Sequence, residues 1–367
     1  MILKELQLKN FRCFFQNTFT FNAPVVVIEG ANGSGKTSLL EAIHYFCYVR
    51  SFRTPSPRDL IHFGKEAFFL SATIDNGIES NQITIGSSGT KRHVKINQQA
   101  ITSYKELRDL CQIVTVTQED IDIVKNSPEK RRTFIDHAIM LYNPEMSDTF
   151  KAFRYLLDMR NAFLAQKSHE PQAEEFEIWT KKLWIVSTAI QQARKEFLSL
   201  LLSHAPRFID CFLPSQTFSF LYQEKYGSDC TDWETFFHHS NSLFQRERFY
   251  KRTLFGAHLD DIEILFNGKP ARLFSSRGQQ KLLSLFLKIL QVSTLTSLPL
   301  LPYKESSFPL IFLIDDFLSD FDRPTLEKIL KTCLSLSVQL IITTPLSSGP
   351  ELAALKECHC EFQIISL

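Results

Sequence analysis

The chain has 367 residues, 44% of them hydrophobic and 22% charged, and its 41 basic and 40 acidic side chains leave a formal net charge of +1. That composition is ample for a buried core and long for one compact domain, and near-neutrality excludes a protein that coats nucleic acid over its whole surface. Any contact with nucleic acid must come from a local patch or be created by assembly.

No apolar run approaches membrane-spanning length, and Lys4, Glu5 and Lys9 bring charge too early for a secretory signal. The eight cysteines are scattered, with only Cys358 and Cys360 close together. A zinc site wants four ligands, so the sequence predicts reduced thiols in a cytosol. The 33 phenylalanines against 12 glycines read as compositional bias.

In chain order, alternation over residues 2–8 and 18–21 predicts two strands, and Val25, Val26, Val27 and Ile28 predict a buried third. The next residues are Gly30, Ala31, Asn32, Gly33, Ser34, Gly35, Lys36 and Thr37, and Ser38 leads into a helical pattern through Phe46. Strand, glycine loop and helix is the context of a phosphate-binding P-loop. Glycines let successive N–H groups turn toward an anion, and the helix N-terminus adds partial positive charge. Lys36 is placed to reach the β- and γ-phosphates of ATP, and the Thr37 hydroxyl to hold Mg²⁺. A chain of this length meets the pattern by accident roughly once or twice in a hundred.

Residues 48–61 read as a Pro- and Arg-rich loop, and residues 66–101 as an antiparallel meander with Lys91 and Arg92 on a turn flank. A strand over 113–116 ends in Gln118, Glu119 and Asp120. Ser127 and Pro128 then start a helix that carries Lys130, Arg131 and Arg132 around much of its circumference, as a solvated face or an anion site. From 144, Met146, Phe150, Phe153, Leu157, Arg160 and Leu164 step at helical spacing. After a polar break at 166–172, Phe176 to Leu200 do the same, predicting two long helices packed as an antiparallel hairpin. Residues 206–252 are less regular and partly helical. The predicted organisation is 1–129 for the N-terminal part of an ATPase head, 130–250 for a helical insertion domain and 251–367 for the C-terminal part.

Residues 260–269 predict a strand and hairpin turn, followed by Ser275, Ser276, Arg277, Gly278 and Gln279 before a helix from Lys281. Leu310 to Ile314 predict a buried strand ending in Asp315 and Asp316. With a P-loop in the chain, Asp315 reads as the acid that holds the Mg²⁺ hydration shell and Asp316 as the acceptor for an attacking water. The plainer alternative is a strand-end acid capping its loop. A helix over 323–336, a strand over 338–342 and the tail complete this half.

Ser276, Arg277, Gly278 and Gln279 resemble the signature loop of ABC-type ATPases, and Ser319 to Asp322 occupy the position of that class's D-loop. The chain resembles the RecF family nearly end to end. The resemblance is carried by Asn10-Phe11-Arg12, the P-loop with Glu41, Ala42 and Ile43, Ser51 to Thr54, and Glu119 to Lys125. It continues through Arg131 to Asp136, Gly256 to Asp261, Ser276 to Lys281 and Asp315-Asp316.

It implies an α/β ABC-ATPase-like head of SMC type, with mixed sheets around the P-loop and a helical insertion. It further implies ATP and Mg²⁺ as cofactors, ATP sandwiched in a homodimer, and slow DNA-stimulated hydrolysis. Binding to single-stranded, gapped or double-stranded DNA, RecR- and RecO-like partners, and cytoplasmic work in recombinational repair, replication restart and SOS induction complete the expectation. Lys91, Arg92, Lys130, Arg131 and Arg132, with Arg53, are the expected DNA contacts. The alternative for the paired arginines is a structural role with Glu129 and Asp136.

Four positions depart from the family pattern: Gln118 and Ala257 replace proline, Leu259 arginine, and Ser275 leucine. Thr343 and Thr344 stand where transporter ATPases place a switch histidine. That absence and the interrupted cassette argue against a transporter subunit. An ATP-gated clamp with little hydrolysis shares every binding motif.

Overall fold

The computed structural model describes residues 2–75, 79–165, 173–225, 232–297, 309–345 and 350–367. The expected turn at 76–77, the polar break at 166–172 and nearly all of the 299–309 loop lie outside the described residues. In chain order the strands and helices begin with β1 (Leu3–Phe11), β2 (Phe14–Thr20), β3 (Val25–Glu29), α1 (Lys36–Tyr48), β4 (Phe68–Asp75), β5 (Ser80–Ser87), β6 (Arg92–Ile96), β7 (Gln99–Ala100), α2 (Lys105–Leu110) and β8 (Gln112–Val116). Then come α3 (Ile121–Lys125), α4 (Pro128–Tyr142), α5 (Met146–Ala165), α6 (Ala173–His204), α7 (Pro206–Phe212), β9 (Phe218–Gln223), α8 (Trp233–His239), α9 (Asn241–Tyr250), β10 (Asp261–Phe266), β11 (Lys269–Pro270) and α10 (Ala271–Phe274). The chain closes with α11 (Arg277–Thr296), β12 (Leu310–Ile314), α12 (Arg323–Leu334), β13 (Gln339–Thr344), α13 (Pro350–Glu357) and β14 (Phe362–Ser366).

The described chain divides into two compact units, the first made of residues 1–120, 210–214 and 281–367 and the second of 121–209 and 215–280. These limits differ from those read off the sequence, which put 121–129 and 251–280 with the head and 210–214 with the insertion.

The first unit holds two sheets. One is antiparallel, in the order β2-β1-β4-β5-β6-β7, and the other is parallel, in the order β14-β3-β13-β12-β8. The antiparallel strands alternate: in β1, Leu6 and Leu8 are buried while Gln7 and Lys9 face outward. The parallel strands β8, β12 and β13 are buried throughout, which is why they read as continuous apolar runs. One core joins both sheets through α1, whose Leu39, Leu40, Ile43 and Phe46 meet Leu6, Leu70 and Ile83 from one sheet and Val26, Leu313 and Ile341 from the other.

The second unit is helical around a three-stranded sheet, β11-β10-β9. Phe153, Leu156, Phe176, Leu183 and Ile190 from α5 and α6 share a core with Trp233, Phe236 and Phe244. Arg160, which falls on the apolar stripe of α5, is fully buried there. Its guanidinium donates to both Glu247 oxygens, to Thr253 and to Thr180, and lies over the rings of Phe176 and Phe255. Strand β9 was not foreseen: Phe218 to Gln223 lack clean alternation, and the strand exists through its six-residue antiparallel register with β10.

Candidate functional site

Strands β3, β13 and β12 are neighbours in that order, so the loops at their C-terminal ends converge, the usual place for a ligand on a parallel sheet. β3 delivers the P-loop, β12 delivers Asp315 and Asp316, and β13, between them, delivers Thr343. The Thr37 hydroxyl donates to Asp315 Oδ1 at 3.0 Å. Thr343 Oγ1 lies 3.1 Å from Asp315 Oδ1 and 3.2 Å from Asp316 Oδ1, and it accepts the Asp316 N–H at 2.7 Å. Asp316 sits in the left-handed region, at φ 46°, a conformation that costs a non-glycine residue energy and is held here by the Thr343 contacts.

Burial raises the Asp315 pKa, the Thr37 hydroxyl lowers it, and the neighbouring Asp316 charge raises it again. A buried and a half-buried carboxylate beside a threonine hydroxyl are a hard-oxygen donor set for a divalent cation, whose charge would reverse that penalty.

The loop itself is shaped for an anion. Lys36 is buried, its ammonium donating to Gly30 O at 2.9 Å and Ala31 O at 3.2 Å. The Ser34 hydroxyl is buried without a hydrogen-bond partner. A Cβ on Gly30 would lie 2.5 Å from Ser34 Oγ and 2.9 Å from Leu367 O, so no larger residue fits. Gly35 has φ 109°, and a Cβ there would meet Cys13 Sγ at 2.7 Å. An orphaned donor, a tight glycine cradle and the N-terminus of α1 fit a phosphate chain, with Thr37 and Asp315 as the residues to hold Mg²⁺.

Glu41, given no role on sequence grounds, is the anchor of this region. It is fully buried and takes two Arg12 N–H donors at 2.7 Å each, together with the Ser51 hydroxyl, with Arg53 at 3.8 Å. It fixes the turn of residues 10–13 and the 51–54 loop to the middle of α1. Its only sequence signal is an acid in an otherwise apolar helical face. Gln118, a departure from the family pattern, donates from Nε2 to Asp316 O at 2.5 Å, a contact proline cannot make. Beyond Asp316, Lys281 pairs with Asp320 at 2.6 Å and lies over the rings of Phe317 and Phe321.

The signature residues lie in the second unit. Ser276 Oγ accepts the Gln279 N–H at 3.3 Å while Gln279 Oε1 accepts the Ser276 N–H at 2.8 Å, a reciprocal capping box that opens α11. Ser276, Arg277 and Gly278 are exposed, and a Cβ on Gly278 would meet nothing.

The expected DNA contacts divide. Lys91, Arg92 and Lys130 are exposed. Arg131 is only 2% exposed. It donates to both Asp261 oxygens at 2.9 and 3.0 Å and to Asn126 O. Arg132 donates to Asp260 O at 2.6 Å. Both are occupied within the second unit, which removes Arg131 from the surface expected to meet DNA. Of the two acids foreseen for them, Glu129 and Asp136, the second instead binds Arg194 at 2.7 and 2.8 Å. Asp260 accepts from Gln191, Tyr222 and Arg194. Ala257 donates its N–H to Ser187 Oγ at 2.7 Å, a bond that proline at this position would lack.

Residues 5–204 match the family described as AAA domain. The "DNA replication and repair protein RecF" of Bacillus thuringiensis (strain Al Hakam) and that of Bacillus cereus (strain AH187) are each 29% identical over 365 residues, covering 97% of this chain and 95% of the relative. Among solved structures, the recombination mediator protein RecF of the RecFOR pathway with ATP superposes at a TM-score of 0.83, with 25% identity and coverage of 95% of this chain and 92% of that one. The same mediator described as RecF-ATPrS gives 0.82 at 26% identity, covering 94% and 93%. An Smc head bound to the C-terminal winged-helix domain of ScpA gives 0.57 at 15% identity, covering 96% and 92%, a likeness of fold alone. The ABC-ATPase-like head fold read from the sequence is borne out.

Proposed function

The chain belongs to the AAA-domain family and to the RecF family in particular, and on that premise we propose that it binds Mg²⁺-ATP and uses it to engage DNA in repair. The observation that carries the proposal is the direct contact of the Thr37 hydroxyl with Asp315 beneath the glycine cradle. In this reading Lys36 and the loop N–H groups hold the phosphates, and Thr37 and Asp315 hold the metal. When bound, Mg²⁺ neutralises developing phosphate charge. Asp316, steadied by Thr343, accepts a hydrogen bond from the attacking water.

The chain has one P-loop and one exposed signature loop. We propose that the N-terminus of α11, with Ser276, Arg277, Gly278 and Gln279, closes on nucleotide held by a second copy, making an ATP-dependent homodimer. DNA, single-stranded, gapped or double-stranded, then binds through phosphate contacts that include Lys91, Arg92 and Lys130. RecR- and RecO-like proteins are the proposed partners and the cytoplasm the proposed compartment, in recombinational repair, replication restart and SOS induction. Among the described residues, no helix is long and apolar enough to cross a membrane.

Phosphate release with and without gapped DNA, measured beside Lys36→Met, tests the reading. DNA-stimulated release by the wild type alone supports it, and equal release by both proteins refutes it. A second reading, an ATP-gated clamp with little hydrolysis, is favoured by Thr343 standing where a switch histidine would assist the water. Sedimentation then shows ATP-dependent dimers while phosphate release stays at background.

A further inference from the structure

The C-terminal end of α1, the loop after it and β6 enclose a cavity of about 550 Å³. None of its lining residues belongs to the P-loop, and Tyr45 follows Lys36 by nine residues, about 13 Å along the helix. We infer that this cavity is a second anion site, built for a phosphate monoester carried on a nucleoside.

Three guanidiniums line it, from Arg50, Arg53 and Arg92, and no carboxylate does. Of the nearby acids, Glu41 is bound mainly by Arg12, with Arg53 at 3.8 Å, and Asp59 accepts from the Thr54 hydroxyl at 2.6 Å, which leaves Arg50 and Arg92 as the guanidiniums free of carboxylates among the described residues. Arg50 has no acidic partner among the described residues. Among the described residues, the Arg92 guanidinium makes one long hydrogen bond, to Val49 O at 3.4 Å. Arginine forks in this arrangement match the oxygens of a terminal phosphate.

An independent observation comes from Tyr45. Its side chain is 1% exposed and lines the cavity, yet its hydroxyl has no hydrogen-bond partner. Leaving a buried hydroxyl unpaired is costly, and burial raises its pKa, so it remains a donor. Arg92 lines the same cavity, and its charge acts on the Tyr45 hydroxyl against the effect of burial. A phosphate oxygen there satisfies both. Beside Ser51 and Thr54, Phe52, Pro55 and Pro57 give the wall an apolar stretch, a surface for a flat ring, and the volume is that of a small-ligand pocket. The nucleoside phosphate has two sources, a free mononucleotide or the phosphorylated end of a strand.

The site is separate from the P-loop, so the test is made in full-length Lys36→Met protein as well as wild type, and it stands whether or not the P-loop binds ATP. Calorimetry with dAMP, and anisotropy with an oligonucleotide bearing either a 5′-phosphate or a 5′-hydroxyl, should show saturable binding that Lys36→Met leaves unchanged. Tyr45→Phe should weaken it about tenfold, the loss of a hydrogen bond to a charged group, without lowering the melting temperature of the free protein. Arg50→Ala, an exposed change that cannot disturb folding, should weaken it at least as much. Binding of dAMP identifies the free nucleotide, and binding of the 5′-phosphorylated strand without dAMP identifies a strand end. Either supports the site. No saturable binding by any probe, loss of binding in Lys36→Met, or wild-type affinity in both Tyr45→Phe and Arg50→Ala overturns it.

Discussion

Replacing Asp315 with Asn separates the metal-binding role proposed for this carboxylate from any role in holding the fold. The wild-type side chain is 7% exposed, accepts from Thr37 and faces the Asp316 charge, and burial disfavours its ionised form. Asn keeps the shape and an oxygen for Thr37 while removing a buried charge from beside a like charge. The free protein should therefore melt no lower than wild type. Ligand linkage changes instead. At 100 times its dissociation constant, Mg²⁺-ATP stabilises a single site by about 2.7 kcal/mol. For a unit of roughly 200 residues that is on the order of 5–10 °C, at 2–4 °C per kcal/mol. Melting curves should show this rise for wild type and under about 2 °C for Asp315→Asn and Lys36→Met at the same concentrations. A free Asp315→Asn protein several degrees less stable than wild type, or one that keeps the full ligand shift, refutes the assignment.

Asp316→Asn should retain the Mg²⁺-ATP melting shift but release phosphate more slowly and prolong the ATP-dependent dimer, since it removes an interaction made to water and not to metal; equal loss of nucleotide affinity in both aspartate variants speaks against these roles. Arg131→Ala leaves Asp261 without its buried partner and should cost about 3–5 kcal/mol of stability in the second unit, read as a fall in denaturation midpoint, with the salt slope of DNA binding unchanged. Lys130→Ala and Lys91→Ala should do the reverse, keeping stability and flattening the slope by about one unit per lost phosphate contact. His258 is pushed down to about 4 from 6.5, chiefly by burial, with Arg132, Arg160 and Arg194 adding to it. Its folded pKa is depressed, so the neutral ring's stabilisation is full above pH 6.5 and declines as pH falls toward 4, by roughly 3 kcal/mol in all; a His258→Gln variant whose stability falls as steeply over that window would refute the assignment.

The parts of the site that were legible in the sequence are those whose chemistry is local. A P-loop is a run of eight residues whose glycines and helix start sit side by side, so Gly30 to Thr37 could be read before any contact was known. Asp315 and Asp316 were legible because a fully buried parallel strand has a visible end. Glu41 and Thr343 were not, because each acquires its role only through topology. Thr343 lies on β13, and only the placement of β13 between β3 and β12 brings its hydroxyl within reach of both aspartates. Strand β9 fails for the same reason, since its pairing with β10 spans about forty residues of chain and leaves no alternation in the sequence.

The basic run at 130–132 shows the limit of reading charge by spacing. Three consecutive cations on a helix point in three directions, and sequence says nothing of what each direction meets. The structure gives three different outcomes: Lys130 is exposed, Arg132 caps a backbone carbonyl, and Arg131 is buried against Asp261. A formal charge that is neutralised inside a unit contributes little to the field a polyanion feels, because paired and buried ions cancel at a distance. The same holds for Arg160 and Arg194, each locked against carboxylates of its own unit. Of the six candidate DNA residues, Lys91, Arg92, Lys130 and Arg53 remain exposed, and Arg92 and Arg53 also line the cavity behind α1. Those candidates alone are few cations with which to hold a duplex firmly at physiological salt. In the proposed homodimer a second copy brought in by ATP would double that number without changing a residue, which gives the proposal a physical reason for DNA affinity to depend on nucleotide in a chain whose net charge is +1.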